Sequence, residues 1–174
     1  MLNTRIALIA SLCVLAGCKQ DRTLTAPVDL VQMAPKGGLQ AFVQQQAGQQ
    51  AGTVEYVVRV VGHDAEVAAY QGWIRFDTTA LTITAIRTPS GEDGEVRVVN
   101  TEEARSGAFR FAAYATEHLA STEMLTIVAT PRQAGVPRIE ATLDVAGTTK
   151  GAAYARSRMF ASDGIIDAQG RRLR

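Results

Sequence analysis

Residues 70–86 alternate in polarity, break at Asp77-Thr78-Thr79 and then alternate again, a pattern that commits the chain to two β-strands around a tight corner. Side chains of a strand point to opposite faces with period two. Tyr70, Gly72, Ile74 and Phe76 therefore share one face, and Gln71, Trp73, Arg75 and Asp77 the other. The first set is a core face. Beyond the corner, Leu81, Ile83 and Ala85 continue an apolar face while Thr82 and Thr84 point out, and Asp77 is placed to cap the corner through nearby backbone N–H groups.

The same logic predicts further strands. Val54, Tyr56, Val58 and Val60 alternate with Glu55, Val57, Arg59 and Val61; a polar loop follows at 62–66. A turn cluster at 89–94 precedes a short strand at 95–99. In 108–114, Phe109, Phe111 and Ala113 share one face, with Arg110 and Tyr114 on the other. Residues 124–129 are apolar on both faces, as a central strand would be. Ile139, Ala141, Leu143 and Val145 alternate again, and Asp163-Gly164-Ile165-Ile166 reads as a last short strand. Many short strands, turn clusters between them and no long helical period predict an all-β sandwich in one domain.

Residues 1–17 follow a secretory pattern, with Arg5 ahead of an apolar run that is too short to span a bilayer comfortably. Leu15-Ala16-Gly17-Cys18 resembles the bacterial lipobox, which implies a lipid on Cys18. Of the two cysteines, Cys13 lies inside the signal, so the mature chain has no thiol for a disulfide, a metal or a nucleophile. Lys19 after the cysteine favours an outer membrane, facing the periplasm or the cell surface, over the inner one. Residues 18–52, rich in Gln, Ala, Gly and Pro, read as a flexible tether with a root-mean-square span of roughly 30 Å; a short helix at 39–50 is the alternative there. The folded unit is then 53–167, followed by a basic tail at 168–174.

Charge narrows the partners. The chain holds 18 basic and 17 acidic residues, and removal of the signal leaves 17 of each, which gives no basic surplus for nucleic acid.

Residues 69–81 resemble the cohesin pattern: an aromatic-Gln strand, Tyr70-Gln71, running into aromatic-Asp, Phe76-Asp77, two small residues and Leu81. Residues 107–112, 125–135 and 163–166 are similar to later segments of that family, in order. The resemblance implies a jelly-roll sandwich related to carbohydrate-binding modules, whose members bind dockerin domains or polysaccharide. Thr78 stands where the family has proline, and the chain contains no dockerin of its own. Asp167-Ala168-Gln169-Gly170 has one acid where a calcium loop alternates several, so no metal or other cofactor is expected.

The chemistry needed for catalysis is thin. His63 and His118 both lie in polar segments outside any recognisable constellation and read as solvated, and a cation site at His63, Asp64 and Glu66 lacks converging oxygens. Arg156, Arg158 and the terminal arginines read as solvated too. The expectation is a membrane-tethered lipoprotein whose sandwich is a non-catalytic binding module. Its partner is a protein, dockerin-like or a subunit of an envelope complex, with polysaccharide binding as the second reading. The candidate surface is the outward row Gln71, Trp73 and Arg75, with Arg110 and Tyr114 beside it; Arg75 or the tether are the internal groups that would otherwise cover Trp73.

Overall fold

A computed structural model of the chain describes residues 29–63, 66–90, 94–119, 122–151, 153–154 and 159–174. The signal segment, Cys18, Asp64, Arg156 and Arg158 lie outside the described residues. Among the described residues a four-residue helix, α1 (Leu30–Met33), precedes ten strands: β1 (Leu39–Ala47), β2 (Val54–Gly62), β3 (Val67–Phe76), β4 (Leu81–Arg87), β5 (Glu95–Asn100), β6 (Ala108–Ala115), β7 (Glu123–Pro131), β8 (Ile139–Thr148), β9 (Met159–Phe160) and β10 (Ile165–Ile166). They form two sheets. One runs β10-β1-β2-β7-β4 with β9 also paired to β1, and the other runs β5-β6-β3-β8.

The two sheets share one apolar core, an all-β sandwich as the alternation predicts. Tyr70 and Ile74 of β3 meet Phe109 and Phe111 of β6 and Leu125 and Ile127 of β7 inside it. Tyr70 and Phe111 contact edge to face at 6.1 Å, and the buried Tyr70 hydroxyl donates to Met124 Sδ at 3.2 Å. Burial pushes the Tyr70 phenol up to about 12. The corner after β3 forms as expected: Asp77 Oδ1 accepts from Thr79 N at 2.8 Å and from Thr79 Oγ1 at 2.7 Å, which holds its carboxyl below the ordinary aspartate value.

Four expectations are corrected. First, the tether does not extend to 52, and 39–50 is not a helix. Residues 39–47 are strand β1, hydrogen-bonded to β2 over its whole length, with Leu39, Ala41 and Val43 buried in the core. The glutamine-rich composition hides the alternation, because Gln40, Gln44 and Gln46 occupy the sheet's other face and are used there. Gln46 Nε2 donates to Glu55 Oε2 at 3.1 Å and Gln44 Oε1 accepts from Arg59 Nε at 3.4 Å. Phe42 and Val61, also on that face, are covered by Ala34 and Ile166.

Second, residues 168–174 are not a free tail: the side chains of Arg171, Arg172 and Arg174 are exposed, as expected, but the segment is tied to the sandwich. Arg171 pairs with Asp167 at 2.7 Å, Arg172 with Asp163 at 3.2 Å, and the backbone N–H of Leu173 donates to Ile165 O at 2.8 Å. The folded unit therefore reaches from α1 to the last residues rather than spanning 53–167.

Third, two bulges change which residues face the core. The β4–β7 register shifts between Ile83 and Ala85, so Ile86 packs against the core and Ala85 is exposed. The β3–β8 register shifts between Gln71 and Gly72, which turns Ala146 inward and leaves Val145 exposed. Gly72 is required at that point, since a Cβ there would run into the Thr142 carbonyl oxygen.

Fourth, His63 is not merely solvated. Its Nδ1 lies 2.8 Å from Val31 O and 2.9 Å from Ala34 O, so the ring fastens α1 to the end of β2. His118 is exposed, as expected.

Candidate functional site

The five residues predicted to form a surface all lie on the outer face of the β5-β6-β3-β8 sheet. Strand register sets their order. Trp73 on β3 stands opposite Arg110 on β6 and Thr142 on β8; Gln71 stands opposite Ala112 and Val145; Tyr114 stands between Ala69 on β3 and Val96 on β5. One rung of the ladder therefore reads Val98, Ala112, Gln71, Val145 across all four strands, and the next reads Asn100, Arg110, Trp73, Thr142.

Trp73 is the centre of this face. The Arg110 guanidinium carbon sits 4.3 Å from the indole centroid and that of Arg75 sits 5.6 Å from it. The expected Arg75 contact is present, but Arg110 is the closer of the two. Arg75 Nη1 also donates to Thr142 Oγ1 at 3.2 Å, which fixes its fork across the β3–β8 boundary. Trp73 is half-buried by these neighbours, whereas Gln71, Arg75, Arg110 and Tyr114 are exposed. Of the expected tether, residues 18–28 lie outside the described residues and residues 39–47 belong to the opposite sheet. Glu140 and Asp144 of β8 lie along one margin.

Three members of the face are invisible to the sequence reading: Val96, Val98 and Val145, exposed to 37%, 54% and 54%. With Tyr114, also 54% exposed, they gather on one sheet face. Strand β5 is inverted relative to ordinary patterning. Its charged residues, Glu95 and Arg97, point inward as an ion pair at 3.0 Å with side-chain exposures of 4% and 3%, while Val96 and Val98 point out. Arg97 Nη1 donates to the Glu123 carbonyl at 2.8 Å, tying β5 to the opposite sheet. The signal that could have found this is the alternation Glu95-Val96-Arg97-Val98, whose phase is settled only by the pairing of β5 with β6.

The outer face of the other sheet is different. Its central charges are satisfied within the chain: Arg87 pairs with Glu55, and Arg59 with Glu123 at 3.5 Å. Burial pushes the Glu55 carboxyl up, yet the hydrogen bonds from Gln46, Arg87 and the backbone together hold it below the ordinary glutamate value. No group of three or more His, Cys, Asp or Glu side chains among the described residues is placed to hold a metal ion.

No family model matches this sequence, and no curated protein matches it by sequence. Solved structures do match its fold. A chain of the type I cohesin–dockerin complex from Clostridium thermocellum superposes with a TM-score of 0.50 at 10% identity, over 74% of this chain and 99% of that one. The cohesin module of a family 33 glycoside hydrolase from Clostridium perfringens gives 0.48 at 12% identity, covering 73% and 97%. A non-cellulosomal cohesin from the archaeon Archaeoglobus fulgidus gives 0.46 at 8%, covering 73% and 91%. The fold is thus a cohesin-like β-sandwich.

Proposed function

We propose that this chain is a non-catalytic binding module that docks a protein partner on the outer face of the β5-β6-β3-β8 sheet, and that a lipid on Cys18 holds it at a membrane of the cell envelope. The observation that carries the docking reading is the inverted edge strand. Turning Val96 and Val98 to solvent while burying Glu95 and Arg97 loses apolar burial and desolvates two charges, a cost that a partner covering the valines would offset. Such inward charges also blunt a sheet edge against aggregation, so the inversion protects the edge while it presents the face.

The composition of the surface fits a protein interface. Trp, Tyr and Arg are the residues that dominate interface hot spots, and here they stand together on rigid strands. Arg110 over the indole covers ring surface that a sugar would need for stacking, which favours a protein over a polysaccharide. The Clostridium thermocellum structure of this fold is a cohesin–dockerin complex, which supports a dockerin-like partner or a comparable subunit of an envelope assembly.

Charge placed on the apolar ends of the Gln71 rung tests the reading. The double variant Val98→Glu, Val145→Glu keeps its melting temperature, because both side chains are already exposed, and loses the partner in a pull-down from envelope extracts. Undiminished partner recovery by the double variant would refute the docking surface.

A further inference from the structure

We infer that the groove along the open edge of β4 is a second docking site, one that takes an extended peptide of alternating apolar and acidic residues. Among the described residues β4 is hydrogen-bonded only to β7, so every second backbone N–H and C=O along it faces away from the sheet. A groove of about 610 Å³ runs beside that edge, between β4 and the 3-10 turn Ala104–Ser106. Phe76, Ile83, Ile86 and Ala104 supply its apolar lining, and Arg105 and Arg132 its charges.

Both walls are fixed. Arg132 is anchored through its backbone N–H to Ala80 O at 2.8 Å and through Nε to the Thr82 hydroxyl. The turn bearing Arg105 is closed by Gly107 at φ 90, whose N–H donates to Ala104 O at 3.2 Å. An added strand would find backbone partners on one side, an apolar floor beneath and two guanidinium groups for its acidic side chains, the ingredients of recognition by strand addition.

Charge selects the occupant. A second copy pairing β4 against β4 would bring Arg105 and Arg132 against the same two arginines, like against like. Residues 19–28 of this chain carry Lys19 and Arg22 against the single acid Asp21, and are equally unsuited. The bulge between Ile83 and Ala85 interrupts the spacing of the edge, which suits a short peptide better than a long continuous ladder.

The test uses the full chain in detergent micelles, with fluorescein-labelled heptapeptides alternating valine with glutamate or valine with lysine, and an unlabelled peptide of residues 19–28 as competitor. Anisotropy is expected to show the glutamate peptide binding about tenfold more tightly than the lysine one. Arg105→Glu and, separately, Arg132→Glu reverse that order. Bound glutamate peptide slows hydrogen exchange at residues 82–86, and N-methylation of its alternate amides abolishes binding. The Val98→Glu, Val145→Glu variant binds it unchanged, which separates this site from the outer face of the other sheet. Equal binding of the two heptapeptides, protection elsewhere than β4, self-association through β4, or displacement by the 19–28 peptide would each overturn the inference.

Discussion

Arg97 and Glu95, two residues apart on the edge strand β5, form an ion pair at 3.0 Å that is almost wholly buried between the two sheets. Their burial decides the phase of the strand, and the phase decides that Val96 and Val98 face solvent beside Tyr114. A structural device inside the sandwich therefore sets the chemistry of its outer face.

Breaking the pair from one side strands a charge in the core. Arg97→Ala is expected to lower unfolding stability by about 3–5 kcal/mol, while Glu95→Leu combined with Arg97→Met comes within about 1–2 kcal/mol of the parent. Urea denaturation of the three proteins checks this. A double variant as unstable as the single would show that the pair contributes more than mutual neutralisation.

The first strand is part of the fold. Limited proteolysis is expected to leave a core that begins ahead of Leu39, and deletion of residues 29–52 removes β1 from the middle of its sheet and abolishes cooperative unfolding. A stable, cooperatively melting fragment starting at Thr53 would contradict the assignment of β1 to the core.

How far the fold could be read from the sequence follows from the pattern of each strand. The core faces of β3 and β6 were legible because Tyr70, Ile74, Phe109 and Phe111 keep one parity while the polar residues Gln71, Arg75 and Arg110 keep the other. The row of Gln71, Trp73, Arg75, Arg110 and Tyr114 followed from the same periodicity. Strand β1 was not legible, since most of its outward residues are glutamines that mimic a linker and its pairings with β9 and β10 are long-range. Simple alternation places Val145 and Ala85 on the wrong face because a bulge moves every later residue by one step, and a bulge depends on the neighbouring strand. Val96 and Val98 were missed because burying charge in preference to valine reverses the ordinary rule.

Two titrations bracket the stability of the sandwich. Burial raises the Tyr70 phenol from 10.0 to about 12, so its contribution is complete below the unfolded value and is lost as the pH rises through the folded one. Alkaline unfolding monitored by circular dichroism is expected in that interval, and Tyr70→Phe moves it to higher pH. The Glu55 carboxyl is held below its ordinary value of 4.5, so its contribution is present above that value and is lost on acidification through the lower, folded value. Glu55→Gln flattens that acid limb, and an unchanged limb would show that Glu55 does not govern it.

Mass spectrometry of the protein extracted from membranes tests the anchor. The expected N-terminus is an acylated Cys18, with residues 1–17 removed. An intact N-terminal segment carrying an unmodified Cys18 would end the lipoprotein proposal, leaving the docking face unaffected.

The central claim is that the outer face of the β5-β6-β3-β8 sheet is covered by a partner in the cell, and site-specific photo-cross-linking tests it most directly. A benzophenone amino acid replacing Val98 is expected to form a discrete adduct with one envelope protein on irradiation of intact cells, and Trp73→Ala in the same chain is expected to suppress it. The same probe replacing Gln46, on the outer face of the opposite sheet, is expected to give none. Adducts at Gln46 but not at Val98, in a chain that melts normally, would contradict the account.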